Sequence, residues 1–266
     1  MTDADLLNAI LDGKPMTFLG AHPDDESLVG PLLAFAADHT AAKVVCVTSG
    51  QSGWNLGPAD LTRTFSALRE AELSRACEAL GASVQVLGLT NGTSTAHPDG
   101  LAAAESEEQA LARWEAKGEW SRTPEQVLRD WDREQQAFAS SLCRLIRSLA
   151  PGILVTFESS HGFTDHPEHR AVGLAIDSIA QAMRTADGAR GGVDFYRVVS
   201  PTHAQAGDAR ISAAVLTAEG KRDYLQLSLR ALSLYETQFG PLGSDKNAHF
   251  LSGFRNVMET MVLRPD

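Results

Sequence analysis

The sequence predicts an α/β fold: a Rossmann-like, mainly parallel sheet with helices on both faces. Three observations predict it. Short β-branched apolar runs, which read as buried strands, recur along the chain. Longer segments of helical pattern lie between them, and strand–helix alternation implies a parallel sheet. Finally, clusters of histidine and carboxylate directly follow two of the strands, where open α/β sheets hold their ligands.

The first strand covers residues 16–20 (MTFLG), followed by a helix over 28–38. The second strand covers 43–48 (KVVCVT). A helix over 61–80 puts Leu61, Phe65, Leu68, Leu73, Ala76 and Leu80 near one face, and Gly81 stops it. The third strand is 84–89. Thr123 and Pro124 open a helix, a capping hydroxyl followed by proline at the first helical position. It is expected to run to Leu149 and end before Pro151. The fourth strand, 153–157, precedes a helix from His169 to about Met183. A Gly/Ala/Arg-rich turn at 187–192 leads to a strand at 195–199. A further strand is expected at 211–216 and a helix at 219–235. The last 20 or so residues carry no clear pattern.

Residues 92–135 are long for a connection. They hold five basic and ten acidic residues and three of the four tryptophans, Trp114, Trp120 and Trp131. They read as a helical insertion, either packed down on the body or serving as a lid or subunit contact. No repeat or low-complexity linker divides the chain, so the expectation is one domain over residues 1–266.

With 266 residues and 43% hydrophobic content, the chain can bury a sizeable core without staples. Its formal charge of −11 argues against nucleic acid or an anionic membrane as the main partner. The three cysteines, Cys46, Cys77 and Cys143, form no C-x-x-C pair and read as small core hydrophobes. The N-terminus is acidic, unlike a secretory leader, and no apolar run reaches the roughly 20 residues of a membrane span. The expectation is a cytoplasmic protein, for which self-association into a homo-oligomer stays open.

The strongest local signal is AHPDDE, residues 21–26, directly after the first strand. His22 and Asp25, three apart across a proline-restrained turn, can grip one metal, since imidazole nitrogen and carboxylate oxygen both suit zinc. Asp24 points differently and can take a proton from metal-bound water. Acids at a helix start also cap amides and oppose the dipole, so the three carboxylates have a plain structural use as well. Glu26 is the most structural of them, or supports a metal-bound histidine. Beyond the fourth strand stand His161, Asp165, His166, Glu168 and His169. One member of this cluster can complete a His/Asp/His site, leaving another free to face substrate. Three protein ligands leave a position open for water, the catalytic pattern. Metal-activated water, an acidic base and a histidine beside the oxyanion make an amide hydrolase. A second HPD, at residues 97–99, lacks the paired carboxylate and reads as a turn.

Together these residues resemble the PIG-L/LmbE-like family of metal-dependent N-acetylglucosaminyl deacetylases. The matching segments are AHPDDE, VTSGQSG (47–53), LREAELSRACEALG (68–81), HPEHRAVG (166–173) and KRDYLQLSLRALSLYETQ (221–238). The resemblance implies zinc, or ferrous iron, held by His22, Asp25 and His169. It implies Asp24 as general base, His166 at the oxyanion and Arg69 against substrate. Trp54, in the loop after the second strand, is a further candidate to stack on a sugar. There are departures: Glu168 stands where the family usually has aspartate, and Thr164 where some members have a tyrosine. Asp165 replaces a common glycine and is expected to orient His166 or the metal ligands. The implied substrate is an N-acyl small molecule, most simply an N-acetylglucosaminyl compound. A thiol–sugar conjugate, an acylated natural-product intermediate, or a non-catalytic binding role on the same fold are the alternatives. A Rossmann-type nucleotide binder is disfavoured: AHPDDE replaces the glycine-rich phosphate loop, and its acids repel phosphate.

Overall fold

Five β-branched runs line up in parallel through the centre of the computed structural model, which describes residues 3–58, 60–92, 101–102, 106–187, 192–220 and 222–266. Helix α1 (Asp3–Leu11) leads into β1 (Met16–Gly20); a 3-10 turn at Asp25–Val29 and α2 (Gly30–His39) follow. Next come β2 (Ala42–Thr48), β3 (Asp60–Thr64), α3 (Phe65–Leu80) and β4 (Ser83–Leu89). Then β5 (Leu101–Ala102), α4 (Glu107–Lys117), α5 (Pro124–Glu134) and α6 (Phe138–Ser148) lead to β6 (Gly152–Phe157). The last third holds α7 (Pro167–Asp187), β7 (Val193–Val198), β8 (Ala209–Ser212), α8 (Ala213–Gly220) and α9 (Tyr224–Leu232). A short α10 (Glu236–Phe239), α11 (Asp245–Glu259) and β9 (Thr260–Pro265) complete it.

The main sheet has the order β4-β2-β1-β6-β7-β9-β8. The first five are parallel, whereas β9 runs antiparallel to both β7 and β8. This is the mainly parallel sheet the alternation predicts. β3 and β5 form a separate antiparallel pair. Helices α2, α3 and α9 pack together, as do α5, α6 and α7, so both faces are covered. Every residue of β1 and β6 is buried, as expected for strands covered on both sides. Burying a side chain such as Phe18 or Val155 contributes about 1.5–3 kcal/mol each. Cys46 and Cys77 sit in this core, and Cys143 packs half-buried against it.

Several boundaries differ from the sequence reading, each for a local reason. Residues 60–64 pair as a strand with 101–102, so the helix expected from 61 begins at Phe65. The long helix from Pro124 breaks at Ala137, whose φ is 61°. There the chain is pinned sideways: Trp131 Nε1 donates to the Thr90 carbonyl at 2.9 Å, and Glu134 accepts from Thr90 N and Oγ1. The strand expected at 211–216 stops at Ser212, whose hydroxyl accepts from Ala214 N and starts α8. Asp223 caps α9 by accepting from Gln226 N, so one expected helix over 219–235 is instead the end of α8 plus α9. The HPD at 97–99 lies outside the described residues. No helix among the described residues is long and apolar enough to cross a membrane.

Candidate active site

β1 lies between β2 and β6, and the chain leaves β1 and β6 in opposite directions along the sheet. This is the point where an open sheet leaves a crevice beyond its strand ends. Residues 21–26 enter it from β1 and residues 158–169 from β6. The first segment folds back tightly. Asp25 Oδ2 accepts from the backbone N–H groups of Ala21 (2.7 Å) and His22 (2.8 Å). The Asp25 side chain then crowds Gly20, where an added Cβ would come within 2.9 Å of Asp25 Cβ. Asp24 has φ 106°, an uncommon value outside glycine, and its N–H donates to Glu26 Oε2.

The folded turn aims three donor atoms at one point. His22 Nδ1 is 3.0 Å from His169 Nε2. Asp25 Oδ1 is 3.1 Å from His169 Nε2, and Asp25 Oδ2 is 3.7 Å from His22 Nδ1. Zinc ligands at their usual bond lengths stand about 3.4 Å apart in a tetrahedral shell. The outer ring nitrogens are both engaged. His22 Nε2 lies 2.6 Å from Glu168 Oε2, and His169 Nδ1 lies 2.9 Å from the Gly162 carbonyl. With those outer N–H groups donated, the inner nitrogens present lone pairs to each other, an arrangement that needs a proton or a cation between them. The residues therefore fit a divalent metal. His166 also brings a ring nitrogen within 4.8 Å of those of His22 and His169.

Glu168, left outside the ligand set in the sequence reading, is the carboxylate that supports His22. Its Oε2 also accepts from Asn91 Nδ2 (2.7 Å), and its Oε1 accepts from Gly92 N (2.5 Å) and Arg122 Nη1 (3.3 Å). Asp165 was expected to orient His166 or the ligands. It instead projects into solvent and pairs with His161 Nδ1 at 3.1 Å, because its backbone turns left-handed at φ 59°. Among the described residues Glu26 hydrogen-bonds to no histidine ring; Tyr235 Oη donates to its Oε1 at 2.6 Å. Thr164, at the position where some family members carry tyrosine, places its hydroxyl 3.2 Å from His169 Nδ1.

Asp24 and Arg69 form the other side of the site. Arg69 is buried, 2% exposed, and the nearby Glu72 accepts from Thr237 N and Oγ1. Its Nη2 donates to the Pro23 carbonyl and to Asp24 Oδ2 (3.3 Å). Among the described residues its Nε and Nη1 have no partner, a costly state for buried donors. The loop after β2 wraps this guanidinium: Gly50, at φ +69°, leaves room where a Cβ would sit 3.0 Å from Arg69 Nε.

The electrostatics divide the titratable groups. Burial raises the Asp24 carboxyl to about 6, against the opposing pull of Arg69. Burial would also raise Asp25, but the His169 and His22 rings outweigh it and hold that carboxyl well below its usual range. Burial lowers His22, yet the carboxylates of Asp25 and Glu168 prevail and lift it to about 10. His166 is pushed well below its ordinary value, by burial first and then by the neighbouring His22 and His169. Its Nδ1 accepts from Glu168 N at 3.3 Å, which leaves the proton of the neutral ring on Nε2.

A cavity of about 370 Å³ opens over these groups. Trp54 lines it, its Nε1 donating to the Gln238 carbonyl at 3.0 Å. Trp114 and Trp120 of the insertion line it too, whereas Trp131 is core. The insertion thus splits between the packing and pocket roles. Nothing in the sequence of residues 92–135 marks which of the insertion's tryptophans face the pocket; Trp114 and Trp120 do.

Fold and site together define a Rossmann-like α/β protein with a histidine- and carboxylate-lined centre at the sheet's switch point. The chain belongs to the PIG-L family, GlcNAc-PI de-N-acetylase, whose model matches residues 17–180. It is similar to a 1D-myo-inositol 2-acetamido-2-deoxy-alpha-D-glucopyranoside deacetylase of Thermobispora bispora, 29% identical over 183 residues, which cover 62% of this chain and 53% of that protein. The chain spans about half the length of the first curated relatives it matches. In fold it is similar to an N,N'-diacetylchitobiose deacetylase from Pyrococcus horikoshii, with TM-score 0.59, 15% identity, and coverage of 100% of this chain and 93% of that one. It is also similar to the 4-carboxy-2-hydroxymuconate hydratase GalB of Pseudomonas putida KT2440, with TM-score 0.54, 16% identity, and 95% of each chain covered. One fold thus carries both deacetylases and a hydratase, so the site has to decide the chemistry.

Proposed function

We propose that this protein is a metal-dependent amide hydrolase, an N-deacetylase of an N-acetylglucosaminyl-type or related N-acyl small molecule. The observation that carries the reading is the convergence of His22 Nδ1, His169 Nε2 and Asp25 Oδ1 beside a carboxyl raised to about 6. His22, Asp25 and His169 are the proposed metal ligands. Two imidazoles and a carboxylate suit zinc, and they accept ferrous iron as well. When bound, the ion supplies Lewis acidity at the acyl carbonyl and at a water.

Asp24 accepts the proton of the attacking water at its carboxylate, with a pKa close enough to neutrality to give it back. Arg69 Nη2 holds that carboxylate in place, and its guanidinium lines the cavity beside it. Neutral His166 offers Nε2–H to the oxyanion that develops on the carbonyl. As the C–N bond breaks, the proton taken by Asp24 passes to the leaving nitrogen, giving a carboxylate and a free amine. The names of the curated relatives support the sugar-amide class.

The test is amine release from a panel of N-acyl sugars by zinc- or iron-loaded protein, with Asp24→Ala as blank. Metal content is measured alongside. About one metal per chain and Asp24-dependent amine release are expected. Protein that holds metal and releases no amine from any member would overturn the reading.

A further inference from the structure

The cavity has a polar floor and apolar walls, and the walls set a requirement that removal of an acetyl group does not explain. Trp54 and Trp114 lie with ring centroids 5.3 Å apart, and Trp114 and Trp120 6.3 Å apart. Trp120 continues this wall to the reacting end, 4.8 Å from the His166 ring. Phe163, Phe239 and Phe254 also line the space. The polar handles of two indoles are turned away from it: Trp114 Nε1 donates to the Ser52 carbonyl at 2.7 Å and Trp54 Nε1 to the Gln238 carbonyl. These rings therefore present faces and C–H edges to a ligand. Trp120 stays 53% exposed, although it belongs to a residue type normally well buried. Aromatic surface left open at the mouth of a cavity marks a binding site.

A bare monosaccharide would meet this wall poorly. Its ring can stack on one indole, but hydroxyls turned toward the remaining aromatic edges would lose water without gaining a partner. An alkyl or aryl group loses no hydrogen bond there. The cavity's 370 Å³ lies in the range of about 300–1,000 Å³ typical of pockets that enclose whole drug-sized ligands, well beyond one acetyl group.

Building on the amide-hydrolase reading, we propose that the substrate is amphipathic: an N-acyl amine carrying an aromatic or medium-chain alkyl group that sits against Trp54, Trp114 and Trp120. That group can arrive as the acyl chain or as the aglycone of the amine, and the two have the same chemistry at the wall. Trp120, 4.8 Å from His166, is the specificity-determining residue because it joins the wall to the reacting centre.

The experiment compares binding with turnover. Intrinsic tryptophan fluorescence is titrated with N-acetylglucosamine, N-octanoylglucosamine and the octyl glycoside of N-acetylglucosamine, with wild type, Trp120→Ala and Trp114→Ala. At least tenfold tighter binding of one octyl compound than of N-acetylglucosamine is expected, with most of that ratio lost in Trp120→Ala. A gain only with N-octanoylglucosamine assigns the wall to the acyl chain; a gain only with the glycoside assigns it to the aglycone. Equal affinities for all three, or a ratio that survives both substitutions, overturns the proposal. Amine release is read on the same compounds. Tight binding of an octyl compound without release keeps the apolar wall and refutes the hydrolase reading. Release from N-acetylglucosamine without any octyl preference does the reverse.

Discussion

Glu168 Oε2 stands 2.6 Å from His22 Nε2, so a carboxylate at the start of α7 fixes an imidazole that follows β1, 146 residues earlier. All four acceptor directions of that carboxylate are taken, by His22, Asn91, Gly92 and Arg122. Burial alone would raise it, yet the His22 hydrogen bond and charge hold it down at about 2. It remains an anion and keeps His22 Nδ1 turned toward His169. Carboxylate partners of this kind set ring orientation and ligand basicity.

Replacing that carboxylate tests the ligand set directly. Glu168→Gln and Glu168→Ala are expected to weaken metal binding by roughly 10–100-fold. Competition with a chromophoric chelator measures it. Glu168→Asp is also expected to weaken binding, because the side chain is one methylene shorter than a contact now made at 2.6 Å. Unchanged affinity in the alanine protein would remove Glu168 from any role at the centre.

Asp24→Asn separates proton transfer from metal binding. Asp24 lies outside the three converging donors and meets Arg69 at 3.3 Å. The variant is expected to retain its metal and lose about 10²–10⁴-fold in kcat, the usual weight of a general base. Metal analysis and amine release on the same sample check both halves. Retained turnover would place the base elsewhere.

Much of this was legible in the sequence because the signals are short-range. AHPDDE and HPEH each keep their chemistry within a few residues of a strand end, and the sheet brings the two strands side by side. The alternation of buried runs gave the sheet for the same reason. What stayed hidden depends on long-range contact. Glu168 reaches His22 and Arg122, and no spacing within the HPEH segment encodes either. The break at Ala137 carries no glycine or proline; it follows from Trp131 and Glu134 holding Thr90. Asp165, which replaces a common family glycine, is expected from the resemblance to orient His166 or the ligands, while its left-handed backbone turns it to His161.

Arg122 links the insertion to the centre. Its Nη1 donates to the Gly92 carbonyl at 2.7 Å and reaches Glu168, and its Nη2 meets Asp130 at 2.7 Å. Arg122→Ala is expected to weaken metal binding severalfold, less than Glu168→Ala does. If Arg122 acts through Glu168, the double variant binds metal about as well as Glu168→Ala alone, a coupling that a double-mutant cycle reads out. Additive losses would mean that Arg122 acts by another route.

A last prediction concerns stability away from the site. Arg264 Nε and Nη2 donate to the two oxygens of Asp208 at 2.8 and 3.0 Å, tying the loop before β8 to β9. That pairing, together with the Gln205 N–H, lowers the Asp208 carboxyl below its ordinary value. A lowered carboxyl stabilises the fold above its unfolded pKa of about 3.9 and loses that contribution as pH falls through the folded value. Asp208→Asn is therefore expected to cost about 1 kcal/mol at pH 7, a modest figure because the Arg264 side of the pair stays partly open to solvent. The gap between wild type and variant should shrink as pH falls below about 4 and close once pH passes the lower folded value. Urea unfolding at pH 7 and at pH 3 measures both ends. A gap that is equal at the two pH values would show that shape, and not charge, makes Asp208 matter.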